Sequence, residues 1–375
     1  MKPTPVQTTF GAIILVAAGI LLLMRSDMIP SGQQAVGSGT SPGRTQSRQT
    51  ELDQKNGKRR LRSESGPRPK NALADYIENL SFDHPPPEDA ERWLSARGRT
   101  TNHLIAAWKV TRSLEFLRSA AALGNPPDRL ALLLLASHED TPEARRKAAD
   151  GFAALDPDNS LGDYFLAWHA FENGQTEEGL RRLRAASNKP VYHTYRESLT
   201  NEIRDLHEFL GLDPLVAKAI ASDGIGSPSA RQQLGIAKKL RSLYQEAAGS
   251  GDRESASGML QDGLLLARRG RESESLLDAL VFTACEITLL KSCPSDAVPV
   301  PGGPTAGEMM ASRNALKEEL KGLASSSLEQ LGRIPPAAAH RYYDIVQTKG
   351  ELAALRWLRD KCAGEFPSEF QAPAR

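Results

Sequence analysis

Apolar residues recur at helical spacing through the chain from about residue 71 to residue 364. Leu104, Ala107 and Trp108 fall at i, i+3 and i+4, and Leu114 and Leu117 continue the same stripe. No stretch shows the convincing period-2 alternation of a half-buried strand. The breaks between periodic segments carry helix-start chemistry. Pro85-Pro86-Pro87 runs into Glu88-Asp89-Ala90-Glu91, which places acids in a first turn. Asn125-Pro126-Pro127-Asp128 and Asp156-Pro157-Asp158-Asn159-Ser160 supply the polar side chains of helix starts. Cys293–Gly307, rich in Pro and Gly, reads as a surface loop or subdomain joint. The pattern therefore predicts an all-α chain. A helical domain spans 71–292 and a loop spans 293–307. A C-terminal helical pair at 308–364, with helices near 308–331 and 336–364, precedes a tail at 365–375.

Upstream of residue 71 the pattern changes twice. Phe10–Met24 is a fifteen-residue run without a charged side chain, and extension back to Val6 makes nineteen. A helix of nineteen residues is ~28 Å long, close to the ~30 Å hydrocarbon core of a bilayer. The expected arrangement is a tail at 1–8 and a single-pass transmembrane signal-anchor helix at 9–25. A cleaved signal peptide and a buried core helix are the rival readings. Met24-Arg25-Ser26-Asp27 follows the run with no small-residue cleavage pattern, which favours the anchor. Lys2 and Arg25 nearly balance across the span. A short tail retained inside is the simpler insertion, so the body is expected outside the cytoplasm, on the periplasmic side if the host is bacterial. The cluster Lys55–Arg62 argues the other way, because it could meet anionic lipid heads.

Residues 26–70 read as a disordered basic linker. Ser31–Gly43 is small and polar, and the stretch that follows, to Lys70, offers only Leu52 and Leu61 as large apolar residues. Such a chain buries too little surface to offset its ordering entropy. Charge sharpens this division. The chain of 375 residues carries a net +1, yet residues 25–70 hold ten basic and four acidic residues. With Lys2 the only other charge upstream, the body from 71 onward is −6. An acidic body argues against nucleic acid as a partner.

One segment of the body has a finer pattern. In 161–190, Leu166, Ala167 and Ala170 mark a first helix, Gly174 a turn, and Gly179 a small residue early in a second helix. Leu183 and Ala186 continue the second face, and Pro190 closes the unit. This resembles a tetratricopeptide repeat over about residues 128–190, whose close antiparallel helices need a small side chain where they cross. An ordinary helical hairpin is the alternative. Looser echoes occur at Glu139–Ala144, Gly251–Ala256 and Gly350–Ala354. Ala144 and Gly179 lie 35 residues apart, near the ~34-residue period, but the step from Gly179 to Ala256 is 77. The expected architecture is thus an irregular array of antiparallel helical hairpins. The resemblance implies a role in binding peptides or partner proteins.

Catalytic and ligand-binding motifs are weak. His207-Glu208-Phe209-Leu210-Gly211 begins like a zinc-protease helix but has Gly where the second ligand belongs. Ser222–Ser227 contains a Gly-x-Gly without the third glycine of a phosphate cradle. Gly39–Gly43 matches a nucleophile elbow by letter but lies in the linker. The seven histidines have no i, i+4 pair, and His169 in the repeat segment reads as structural. Cys285 and Cys293 are disulfide candidates only if the chain folds back at Pro294, since on one helix they would be ~12 Å apart. Three buried thiols are the other reading. No catalytic, cofactor-binding or metal-binding residue is assigned.

The expected function is a membrane-anchored helical scaffold that binds protein or peptide partners without catalysis or cofactor. Two other classes remain open. An enzyme of unrecognised class would show a pocket where histidines and carboxylates converge. A structural component of the cell envelope would show no specific groove.

Overall fold

Helix starts fall where proline and capping chemistry place them. The computed structural model describes residues 84–195, 199–222, 229–273, 275–331 and 334–362. Among these residues there are fifteen α-helices and no strand, apart from one parallel bridge between Asn159 and Val191. The first seven are α1 (Pro87–Arg97), α2 (Thr101–Thr111), α3 (Leu114–Leu123), α4 (Arg129–His138), α5 (Pro142–Leu155), α6 (Ser160–Glu172) and α7 (Thr176–Ser187). Then come α8 (Thr200–Phe209), α9 (Pro214–Ser222), α10 (Ala230–Ser250), α11 (Arg253–Arg271) and α12 (Leu276–Leu290). The last three are α13 (Ala306–Leu331), α14 (Pro336–Lys349) and α15 (Glu351–Cys362). Pro87 opens α1 with Glu88 and Asp89 in its first turn. Asp128 caps α4 by accepting from the Ala131 amide at 2.9 Å, and Asn159 caps α6 by accepting from Leu161 at 3.1 Å. Each such acceptor satisfies an amide that the helix leaves without an intrahelical partner.

Consecutive helices pack as hairpins. The pairs α2/α3, α4/α5, α6/α7, α8/α9, α10/α11 and α14/α15 each pack side by side. In α6/α7 the turn is Gly174 with φ +72°, and a Cβ at Gly179 would overlap the Phe171 ring. The small residue is therefore what lets α7 close onto α6. In α4/α5 no glycine is needed. Thr141 accepts from the Ala144 amide at 3.2 Å and Pro142 begins α5.

The long 77-residue step has a structural origin. The hairpin α10/α11 packs on α6/α7, with α10 against α6 and α11 against α7. The intervening α8/α9 pair leaves this stack, and α8 packs on α1 and α2 instead. An inserted hairpin and a longer α10 thus interrupt a series that resumes in space. α12 then packs on both α10 and α11, α13 on α12, and α15 on α13.

Three larger apolar cores follow from this layout, with a small fourth cluster of Ala279, Leu280 and Leu320 between α12 and α13. The first joins α1–α6 with α8 and contains Trp93, Trp108, Phe152 and Phe165. The second joins α6, α7 and α10–α12 through Tyr164, Leu183, Leu240 and Phe282. The third joins α14 and α15 to Leu215 of α9. α6 serves two cores, presenting Leu161 and Phe165 to the first and Tyr164 and Phe171 to the second. A helix apolar on all sides belongs in an interior, and eleven of its thirteen residues are buried.

Polar ties fix the joints. Asp163, buried in α6, pairs with Arg182 at 3.1 Å and Lys189 at 2.6 Å. Arg269 of α11 donates to the carbonyls of Ala186, Ser187 and Lys189 at 2.8, 3.0 and 2.6 Å, which satisfies the free end of α7. The ends of the α6/α7 hairpin meet: Ser160 N donates to Val191 O at 2.8 Å, and Val191 N donates to Asp158 O at 3.2 Å. Glu286 of α12 lies between Arg271 of α11 and Arg313 of α13, the latter at 2.5 Å.

Two helix boundaries differ from the sequence expectation. The stripe from Leu104 to Leu117 is not one helix, because Arg112 takes a left-handed conformation at φ 62° and ends α2. Its guanidinium lies 5.4 Å from the centre of the Trp108 ring, a cation–π contact that helps offset the strain. The helix expected over 336–364 is two, α14 and α15, divided by Gly350 at φ 81°. The expected anchor at 9–25 and linker at 26–70 lie outside the described residues. Among the described residues, no helix is long and apolar enough to cross a membrane.

Candidate functional site

The packing of α10 on α6 leaves a half-open groove. α10 comes close because Gly235 faces the Trp168 ring, which a Cβ there would overlap. Beside this contact lies a cavity of about 350 Å³. Its wall is built from the end of α4 (Ser137, His138), the start of α5 (Arg145), the second half of α6 (Trp168, His169, Glu172) and the start of α10 (Arg231, Gln232). Side chains from four helices therefore converge on it.

His169 is 3 % exposed. Its Nε2 is buried without a hydrogen-bond partner, and its Nδ1 is 4.0 Å from Glu172 Oε2, beyond hydrogen-bond reach. Burial, with the nearby positive charge of Arg145, holds its pKa below the ordinary histidine value, while the Ala136 carbonyl of α4 beside the ring acts in the opposite direction. His138 packs its ring 5.0 Å from the Trp108 ring. Desolvation there, with Arg112 and Lys109 close by, also lowers its pKa. Both imidazoles are thus neutral at pH 7. Gln232 Oε1 is a second buried polar atom without a partner in the groove.

The charges around the groove are unequal. Arg145 donates one hydrogen bond to the Glu139 carbonyl at 3.0 Å. Arg231 is exposed and forms no ion pair or hydrogen bond with a described residue. The Glu139 carboxylate is engaged by Arg118 at 2.8 and 3.0 Å, and Arg146 faces Asp150 at 3.9 Å. Two guanidinium groups in the wall therefore meet one carboxylate, Glu172.

The residues singled out in the sequence fall elsewhere, His169 excepted. His207 is buried in α8, and Gly211 is a turn residue at φ 88° beyond its end. Cys285, wholly buried in α12, and Cys293, partly buried after it, are both free thiols. Burial pushes the Cys285 thiol up to about 12, which leaves it protonated and unreactive. Gly39–Gly43 and most of Ser222–Ser227 lie outside the described residues. Among the described residues, no cluster of three or more His, Cys, Asp or Glu could hold a metal ion. Sequence reasoning missed Trp168, Arg145, Arg231 and Gln232, because they come from α5, α6 and α10 and share no local motif. The only local signal was Gly235, a glycine inside an otherwise regular helical pattern. No family model matches the chain, and no curated protein or solved structure is significantly similar to it.

Proposed function

We propose that this protein is a membrane-tethered helical-hairpin scaffold that holds a segment of a partner polypeptide in the α4–α6–α10 groove. The observation that carries this reading is the groove itself, half open and lined by an aromatic ring, two arginines and unpartnered buried polar atoms. Its walls come from packed hairpins, which position such side chains rigidly. The apolar segment at 9–25 and the basic segment at 26–70 would tether the body outside the cytoplasm. A photo-crosslinking residue at position 232 tests the groove, with the exposed position 115 of α3 as control. The expected result is one identified polypeptide joined from position 232 in the native membrane, reproduced with the purified pair and absent from position 115. Equal labelling from both positions, or none from 232, overturns the reading. A reporter fused after residue 375 tests the orientation, and activity only on the cytoplasmic side overturns that part.

One observation favours a second reading. His138, His169 and Glu172 converge on one cavity, which is the arrangement a hydrolytic enzyme would need. The Ser137 hydroxyl, however, points to the Leu133 carbonyl at 3.4 Å, and Glu172 does not hydrogen-bond His169. Turnover of ester or amide substrates, lost in His169→Gln, would reverse the order of the two readings.

A further inference from the structure

We propose that the groove takes up a carboxylate together with one proton, the carboxylate lying between Arg145 and Arg231 and the proton residing on His169. The inference rests on the groove being the partner site and names the chemical group it receives. Three observations lead there. First, the wall carries two guanidinium groups against one carboxylate, so with neutral imidazoles it lacks one negative charge. A carboxylate places a negative charge between the two guanidinium groups. Arginine is also suited in shape to a planar carboxylate. Second, His169 is a residue of the wall and its Nε2 is buried without a partner, which leaves a hydrogen-bonding atom unsatisfied beside the groove. A carboxylate oxygen only accepts, so it fits an imidazole that donates. Third, the surroundings disfavour a positive His169 until an anion arrives. The charged groups facing it are Arg145, Arg146 and Asp150 of α5 and Glu172 of its own helix, with Arg231 across the groove on α10. On the α4 side His138 is adjacent, itself facing Lys109 and Arg112 of α2. An added negative charge removes the repulsion from the arginines and makes a protonated His169 favourable.

The balance of the step is simple. One carboxylate enters from solution, one proton from solvent binds His169 and no covalent bond changes. Affinity for the anion must then rise as pH falls, by up to tenfold per pH unit while His169 is neutral in the empty groove.

N-acetylglycine is a suitable probe, with uncharged N-acetylglycinamide as control, both titrated into the full chain in detergent. Imidazole NMR reads the His169 titration midpoint directly. The expected result is saturable binding of N-acetylglycine alone and a midpoint raised by one unit or more at saturation. Arg231→Gln, at an exposed position, should weaken binding at least tenfold with the fold intact. His169→Gln should bind with an affinity independent of pH between 5.5 and 7.5. If His169→Gln does not fold, the midpoint shift in the unaltered chain decides alone. Equal binding of both probes, no binding at 50 mM, or binding without a midpoint shift would each overturn the inference. Partner crosslinking at position 232 with no probe binding would sink this inference alone, whereas probe binding without crosslinking would sink the scaffold reading alone.

Discussion

Individual side chains in this protein carry consequences that their burial makes measurable. His207 is 9 % exposed with its Nδ1 unpartnered, and burial beside Lys109 pushes its pKa down to about 4. The unfolded chain takes up a proton at His207 near pH 6.5, while the folded chain does not until near pH 4. Stability is therefore lost as pH falls through that window, by about 3 kcal/mol from this residue. Urea titrations of His207→Gln should show a shallower loss between pH 7 and 4.5, and an unchanged slope would contradict the assignment. Glu286 is a second case. Its side chain is 2 % exposed between Arg271 and Arg313. Glu286→Gln leaves both guanidinium groups without a counter-charge, and a loss of about 3–5 kcal/mol is expected in chemical denaturation. Neither role was legible beforehand. Sequence places His207 and Glu286 on helices but does not reveal that their surroundings come from α2 and α13.

Whole helices were the most legible feature, and the reason is local. Proline at the first turn and Asp, Asn or Thr as caps act within four residues, so the starts of α1, α4 and α6 could be read directly. The ends of α2 and α14 were missed because different chemistry stops them. Arg112 has no glycine-like freedom, and its stacking on Trp108 accompanies the break. Gly350 was visible as a hairpin turn, but the apolar pattern runs on past it. The α6/α7 pair shows the same logic with a quantitative test. Gly179→Ala gains helix propensity worth ~1 kcal/mol but forces a methyl into the Phe171 ring. A net loss of about 1–3 kcal/mol is expected from urea unfolding. Adding Phe171→Leu should cost less in the Gly179→Ala background than alone, because the smaller side chain makes room. Strict additivity in that double-mutant cycle would show that the two residues do not meet as described.

At the scale of the molecule, sharing of α6 between two cores makes their stabilities interdependent. The four tryptophans report on this. Trp93 and Trp108 lie in the first core, Trp168 packs on the second and Trp357 on the third. Fluorine-labelled tryptophans should lose the native signals of Trp93, Trp108 and Trp168 at one urea concentration. The third core reaches the others through α9–α14 and α13–α15 packing, so Trp357 should report an earlier transition. Separate transitions for Trp108 and Trp168 would show that α6 does not couple its neighbours. The groove was illegible for a reason that belongs to this scale: α10 reaches α6 only after the chain detours through α8 and α9. The meeting of Asp158–Ser160 with Val191 has a different outcome. Asn173, Gly174 and Gln175 form an exposed turn at the far end of that hairpin. A chain nicked there keeps its two pieces stitched at the opposite end as well as along the packed helices. Residues 1–174 and 175–375, made as separate polypeptides in one cell, should assemble and co-purify as a two-piece protein.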